Sequence, residues 1–188
     1  MKTKTFLFII AAIPLSGNAA VTVTGDALNI GSSNTIYPGG SAVLGSSNFV
    51  SQPYALALGA HNDLVQDDND YGSLALGHHN YIHGYGSIVG GSYNSVLDNS
   101  SITTGYYNYN NASASLMVGR GNVAENPQNS DSIIGGKYNA AVPYSKPAHL
   151  VIGNGTSSTT RSNSFVVYAD GDIVIDKPQG DISMGIYE

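Results

Sequence analysis

A glycine recurs along this chain at intervals of fourteen residues, and the segments around it align with one another. The aligned segments read ALNIGSSN, SAVLGSSN, ALALGAHN, SLALGHHN, SIVGGSYN, SITTGYYN, SLMVGRGN, SIIGGKYN and HLVIGNGT. The anchoring glycines are Gly31, Gly45, Gly59, Gly77, Gly91, Gly105, Gly119, Gly136 and Gly153, at spacings of 14, 14, 18, 14, 14, 14, 17 and 17 residues. Because one such unit cannot bury its apolar residues alone, the repeat predicts a solenoid of stacked coils.

The residues just before the glycine form three apolar columns. The residue three before it is apolar in all nine units, and the residue one before it is aliphatic in six of them. Because alternate residues of a strand share one face, we expect these two columns to point into the coil. The column between them is also mostly apolar, and strands that are apolar on both faces are usually buried on both. We therefore expect the outward face to pack against identical chains.

An asparagine stands three residues after the glycine in eight of the nine units. Asparagine tolerates left-handed backbone conformations and bonds to nearby backbone groups, so a stacked asparagine column is predicted at a turn. A second, more polar strand is expected to follow in each unit. Its predicted inward residues are Ile36, Val50, Leu64, Ile82 and Val96.

The first twenty residues, MKTKTFLFIIAAIPLSGNAA, have the layout of a secretory signal peptide, with cleavage after Ala19 or Ala20. Their apolar run is too short to anchor the chain, and no later segment has the roughly 20 uninterrupted apolar residues of a membrane helix. We therefore expect an exported, soluble protein. It has no cysteine, so its stability must come from burial, backbone pairing or assembly rather than from disulfides.

The charge of the chain argues against one class of partner. Removal of Lys2 and Lys4 with the signal peptide changes the net charge from −6 to −8. No basic stripe is present that could neutralise phosphates, so nucleic acid is not an expected partner.

The unit S-x-x-x-G-x-x-N with alternating aliphatic residues resembles the head repeats of YadA-like trimeric autotransporter adhesins. In that family each unit forms one turn of a left-handed parallel β-roll, and three chains pack side by side. The resemblance extends from Ala27 to about Thr156 and implies an all-β solenoid of about nine 14-residue coils, assembled as a homotrimer. It departs from the family after Ile175, where thirteen residues remain without a heptad stalk or a membrane anchor.

Local sequence motifs predict the domain boundaries and the segments that cap the solenoid. We expect a signal peptide over 1–20 and a β-roll head domain over 21–156 that begins with a cap strand, VTVTGD. The segment SFVVYADGDIVI predicts a hairpin about Asp170 and Gly171, which would cap the last coil within 157–175. Residues 176–188 are expected to form a tail.

One position of the repeat carries rings in successive coils. The second residue after the glycine is His61, His79, Tyr93 and Tyr107 in four consecutive units, and Tyr138 two units on. Because stacked coils lie about 4.8 Å apart, these rings are expected to form a ladder along one edge. Two interpretations remain open: the rings support a turn, or the exposed ladder recognises a glycan or a protein surface.

Two groups of residues raise the question of other chemistry. His78, His79 and His83 could be metal ligands, but neither cysteine nor a recurring carboxylate completes a zinc site. Asp67, Asp68 and Asp70 lie in one insertion, where carboxylates could bind calcium or hydrolyse glycosides. A solvated loop is the more common role of such an insertion. No nucleophile elbow and no phosphate-binding loop occur, so no enzyme activity, metal or cofactor is predicted.

The resemblance to adhesin heads implies a function. It implies a secreted or bacterial surface-exposed module that binds host matrix, a glycan or another cell through the avidity of three chains. A fibre or spacer module, as in phage tails, and a polysaccharide-active solenoid are the alternatives.

Overall fold

The structure, a computed structural model, describes residues 20–24, 26–37, 39–65, 72–125 and 130–175. All regular secondary structure in these residues is β. The described residues therefore contain no helix that could cross a membrane. The chain forms a parallel β-solenoid of about eight turns with the 14-residue spacing, as the repeat predicted. The predicted tail, most of the signal peptide and the acidic insertion lie outside the described residues.

The first sheet has twelve strands, and its nine central strands are parallel and in register, so that each anchoring glycine lies beside the glycine of the next coil. These strands are β2 (Ala27–Ser32), β4 (Ala42–Ser46), β6 (Leu56–Ala60), β8 (Leu74–His78), β10 (Ile88–Ser92), β12 (Ile102–Tyr106), β14 (Leu116–Arg120), β16 (Ile133–Lys137) and β17 (Ala148–Asn154). Nine parallel strands enclose the eight turns between them.

The second sheet has seven short parallel strands, one for each of the first seven coils. They are β3 (Thr35–Ile36), β5 (Phe49–Val50), β7 (Asp63–Leu64), β9 (Tyr81–Ile82), β11 (Ser95–Val96), β13 (Tyr109–Asn110) and β15 (Val123–Ala124). Four of the five predicted inward residues, Val50, Leu64, Ile82 and Val96, are fully buried, and Ile36 packs against the same core. The prediction for this strand is confirmed.

Antiparallel strands close both ends of the first sheet. β1 (Ala20–Thr24) pairs with β2 over its whole length. At the other end β18 (Asn163–Tyr168) pairs with β17, and β19 (Ile173–Ile175) pairs with β18. The hairpin turn contains Asp170 and Gly171, and Lys146 from the loop before β17 forms salt bridges with Asp170, at 3.2 Å, and with Asp172. The outermost coils are therefore covered by paired backbone, which protects exposed sheet edges from association.

The two faces of the first sheet are the reverse of the sequence prediction. The middle column points into the coil and is fully buried: Val43, Ala57, Ala75, Val89, Thr103, Met117, Ile134 and Val151. The two flanking columns, which were expected inside, point outward. Both faces are apolar, so alternation alone could not tell them apart. Side-chain size decides, because the narrow space between the two sheets accommodates the column with the more Ala, Val and Thr residues.

The predicted asparagine column is confirmed and forms a continuous hydrogen-bonded ladder. The Oδ1 atom of Asn80 accepts bonds from the backbone N–H and from Nδ2 of Asn94, at 3.2 and 3.1 Å. The Nδ2 atom of Asn94 also donates to the carbonyl oxygen of Gly105 in the next coil, at 3.0 Å. From Asn48 onward every member is buried, and each bond satisfies a polar group that burial would otherwise leave unpaired.

A serine column, whose role the sequence did not reveal, marks the start of the repeat unit. Ser41, Ser73, Ser87, Ser101, Ser115 and Ser132 are all buried. The Oγ atom of Ser101 donates to the carbonyl oxygen of Ala112 at 2.7 Å, and the Oγ atom of Ser87 accepts from the N–H of Ser101 at 3.2 Å. The serine thus connects one coil to the next where the chain enters the strand.

The anchoring glycines are required by both their conformation and their neighbours. Gly91 has a φ of +100°, and a Cβ atom there would lie 2.1 Å from the carbonyl oxygen of Gly105. The preceding Gly90 has no such φ, and its nearest neighbour would be the Thr104 methyl carbon at 3.4 Å. The fold therefore requires glycine at position 91 but not at position 90.

Alanine substitution should distinguish these two glycines. We expect Gly91→Ala to destabilise the fold by at least about 3 kcal/mol, because the left-handed strain adds to a backbone clash. Gly90→Ala should be neutral or stabilising by about 0.5 kcal/mol, since it only restricts the unfolded chain. Denaturant unfolding of both variants measures the difference, and equal effects would contradict this account of the repeat.

Candidate functional site

Four of the predicted rings form a stack along one edge of the solenoid, and we call His61, His79, Tyr93 and Tyr107 the aromatic ladder. Successive ring centres are 4.7, 4.7 and 4.8 Å apart, with interplanar angles of 18°, 14° and 8°. All four side chains are exposed, Tyr107 to 54%. The predicted stacking is therefore confirmed for these four residues.

Each ring of the ladder projects from a residue in the left-handed backbone region. The φ angles are +53° at His61, +53° at His79, +56° at Tyr93 and +54° at Tyr107. Residues other than Gly, Asn and Asp occupy this region at a cost of about 1–2 kcal/mol. The left-handed residue of the turn is thus the one before the asparagine, and not the asparagine itself as the sequence suggested.

The same turn is built without a ring elsewhere in this chain. Ser33 and Ser47 occupy the equivalent position in the first two coils, with φ of +57° and +54°, and Gly121 occupies it with +63°. A second left-handed position recurs in several coils, and Gly40, Tyr54, Ser100 and Ala114 are among the residues that occupy it. The backbone therefore does not require an aromatic residue at the ladder position.

A neighbouring column widens the aromatic surface. Tyr106 lies edge to face with Tyr107, with centroids 4.5 Å apart, and His78 lies edge to face with Tyr93 at 5.3 Å. The guanidinium of Arg120 lies 5.9 Å from the centre of the Tyr106 ring, within the range of a cation–π contact. Tyr106 and Arg120 were not predicted as members of this surface, although both occupy the repeat position directly after the glycine.

The phenol of Tyr107 is held in its neutral form. Desolvation first, and then the nearby hydroxyls of Tyr106 and Tyr93, raise the pKa of Tyr107 above its ordinary value of 10.0. The phenol therefore retains its proton and can donate a hydrogen bond.

The fifth predicted member, Tyr138, does not stack on Tyr107. Gly121 occupies the intervening position, and a Cβ atom there would lie 2.3 Å from Cε1 of Tyr138. The Tyr138 ring lies over this glycine and between two arginines, with the guanidinium carbons of Arg120 and Arg161 at 5.6 and 6.0 Å from its centre. The ladder is thus interrupted after Tyr107 and ends in a basic region.

The histidines are not assembled as a metal site. Among the described residues no three His, Cys, Asp or Glu side chains are grouped so that they could hold a metal ion. His78 and His79 contact each other edge to face at 5.4 Å, whereas the ring of His83 stacks parallel to Tyr81 at 6.3 Å on the second sheet. Asp67, Asp68 and Asp70 lie outside the described residues.

One carboxyl group on the second sheet is unusual but lies away from the ladder. Asp63 pairs with Phe49 on one side and Tyr81 on the other, and its Oδ1 atom is buried without a hydrogen-bond partner among the described residues. Burial raises the pKa of Asp63 above its ordinary value of 3.8.

The outward columns of the first sheet form what we call the outer apolar face. Leu28, Leu56, Leu74 and Leu116 are half-buried there, while larger fractions of Ile88 (41%), Ile102 (42%), Val118 (45%) and Ile133 (50%) are exposed. Equivalent residues repeat from coil to coil along the whole sheet. Continuous apolar surfaces on other proteins are often sites of contact with another molecule.

Asparagine substitution should show whether the ladder supports the turn. In Tyr93→Asn we expect a loss of about 1 kcal/mol or less, because asparagine relieves left-handed strain while the ring contacts are lost. Tyr109→Asn is the matched control, since Tyr109 has similar exposure, 36% against 37%, but lies in an extended strand that disfavours asparagine. Denaturant unfolding should show the control to be the less stable variant. The opposite order would mean that the rings hold the turn together.

Comparisons with known proteins give no further identification. Neither family models, nor curated proteins, nor solved structures include a significant match to this chain. Its resemblance to adhesin heads therefore rests on the repeat unit, and the fold is compatible with that resemblance.

Proposed function

We propose that this protein is an exported, non-enzymatic attachment module that binds a glycan or matrix protein at a cell surface through its aromatic ladder. Three identical chains assemble side by side through their outer apolar faces. The ladder of each chain then supplies one of three equivalent binding surfaces.

The observation that carries this proposal is the presence of exposed rings at strained backbone positions. The same turn accepts serine in two coils and glycine in another, so stability does not select for aromatic residues there. Strained residues persist where function requires them, and an observed outlier is a reason to propose a function. Four consecutive rings at one position are consistent with selection for a continuous contact surface.

The chemistry of the ladder suits a glycan better than a globular protein. A row of exposed rings is flat, narrow and nearly rigid, so little side-chain entropy is lost on contact. Tyrosine combines an apolar ring with a hydroxyl, and both imidazole and phenol groups can bond to sugar hydroxyls. The rings of the aromatic ladder repeat every 4.7–4.8 Å, and this regular row favours a ligand that is itself extended.

The outer apolar face supports self-assembly. Its residues repeat with the spacing of the coils, and a second copy of the chain has the same spacing. Two such faces can therefore pack in register over their whole length, as identical repeats do within one chain. A strand that is apolar on both faces needs a partner for the face outside the coil, and this face carries the flanking columns and not the middle one. Three copies rather than two follow from the resemblance to adhesin heads.

Assembly determines how tightly the module binds. A shallow surface gives weak affinity for each site, but linked sites raise the local concentration of ligand for the remaining ones. The main alternative is a fibre module in which the roll is only a spacer, and this role gives no reason for exposed rings.

The assembly is tested by the solution mass of the exported chain, measured by light scattering after size exclusion. We expect three times the monomer mass. The variant Ile102→Glu with Val118→Glu places carboxylates in the outer apolar face and should reduce the mass or the stability of the assembly, because charges are costly to bury. Tyr54→Glu is the control, since Tyr54 is 74% exposed and lies off this face. A stable, folded monomer of the unaltered protein would contradict the proposal.

Recognition is tested by binding of the same protein to an array of glycans and matrix proteins. We expect binding to at least one glycan, and a loss of at least tenfold in Tyr93→Asn with Tyr107→Asn because the continuous surface is broken. Tyr109→Asn removes an equally exposed tyrosine from the second sheet and should leave binding unchanged. Binding only to a matrix protein would change the ligand class, whereas the absence of all binding would favour the spacer.

A further inference from the structure

A pocket opens where Gly121 interrupts the aromatic ladder. Its walls are Tyr107, Gly121, Tyr138, Ser158 and Arg161, and it has a volume of about 330 Å³. This volume is at the lower end of the range of about 300–1,000 Å³ that is usual for sites that hold a small molecule. Because glycine has no side chain, the ring of Tyr138 lies over the ladder position and forms one wall of the pocket.

Arg161 is fixed at this pocket by the protein backbone. Its Nη1 group donates to the carbonyl oxygens of Gly121, at 2.7 Å, and Asn139, at 3.3 Å, and its Nε group donates to that of Ser158 at 3.1 Å. The Nη2 group has no hydrogen-bond partner among the described residues. A guanidinium held in this way has a fixed plane, and the two N–H bonds left on Nη2 can make charge-assisted hydrogen bonds to the oxygens of an anion.

The charge around the pocket is opposite in sign to that of the whole chain. The chain has a net charge of −6, and only four lysines and arginines lie in the described residues. Three of them, Arg120, Lys137 and Arg161, are next to Tyr138 in sequence or in space. No carboxylate is among the described residues that line the pocket. Such a local positive potential attracts anions.

We propose that this pocket binds the carboxylate-bearing sugar unit of an acidic glycan. The ring of Tyr107 and the edge of the Tyr138 ring contact the apolar part of the sugar, and the Nη2 group of Arg161 bonds to its carboxylate while Arg120 adds charge. The inference rests on the proposed recognition of a glycan by the ladder, and it names the sugar class at the end of that surface. The remaining sugar units would then lie along Tyr93 and His79.

The test compares two free sugars that differ in one group. D-Glucuronate carries a carboxylate where D-glucose carries a hydroxymethyl group, so each is titrated into the exported chain and binding is followed by ligand-observed NMR. We expect glucuronate to bind at least fivefold more tightly than glucose, and added salt to weaken only the glucuronate binding because charge is screened. Equal binding of the two sugars, or binding of neither, overturns the inference.

Variants of two pocket residues show where glucuronate binds. Tyr138→Asn removes the ring while keeping a residue that tolerates the φ of +45°, and it should weaken glucuronate binding at least fivefold. Arg161→Lys keeps the charge but removes the planar donors, and it should also weaken glucuronate binding at least fivefold. Tyr109→Asn, on the second sheet, should bind glucuronate as the unaltered protein does. Unchanged binding in Tyr138→Asn overturns the assignment of the pocket even if Arg161→Lys fails to fold.

The glycan array separates this inference from the function on which it rests. If only neutral glycans bind, and the double variant Tyr93→Asn with Tyr107→Asn abolishes that binding, recognition by the ladder stands and the acidic pocket is refuted. If acidic glycans bind preferentially and Tyr138→Asn removes the preference, recognition by the ladder and binding of the acidic sugar in the pocket are both supported. If no glycan binds, the proposed function fails, and with it this role of the pocket.

Discussion

The close approach of successive glycines is the constraint on which the whole molecule depends. From Gly31 to Gly136, a Cβ atom on any of the anchoring glycines would lie 1.7–2.2 Å from a carbonyl oxygen of the next coil. Only residues without a side chain allow the coils to stack at strand spacing at this corner. The register of both sheets, the asparagine ladder and the aromatic ladder all follow from that stacking, because each places equivalent residues of adjacent coils side by side.

Stacking of equivalent residues explains why one repeat unit can carry both stability and function. Buried asparagines satisfy each other and the backbone from coil to coil, so the turn is stable whatever residue precedes the asparagine. The preceding position is exposed in most coils, and the chain places serine, histidine, tyrosine or glycine there. The variation in that column is thus the part of the repeat that can encode recognition.

Much of this arrangement could be predicted from the sequence. The period, the solenoid, the asparagine column and the terminal hairpin followed from spacing and turn residues, and the parallel strands followed from the resemblance to adhesin heads. Stacking at His61, His79, Tyr93 and Tyr107 followed from the period alone. The orientation of the first sheet could not be predicted, because both faces are apolar and only the width of the interior distinguishes them. The pocket beside Tyr138 could not be predicted either, since Arg161 reaches it from the segment after the last coil, outside the repeat register.

One polar layer of the core is held by bonds made along a single turn of the chain. In the middle of the solenoid Asn110 lies fully buried and its Nδ2 atom donates to Thr103 and Ser115, each at 2.9 Å. The residues equivalent to Asn110 in the other strands of the second sheet are apolar. Replacing one of these three polar residues by an apolar one would leave its partners unpaired in the interior, at a cost of about 1–3 kcal/mol for each group. This turn is thus stabilised partly by polar contacts of its own, whereas the other turns depend on apolar packing against their neighbours.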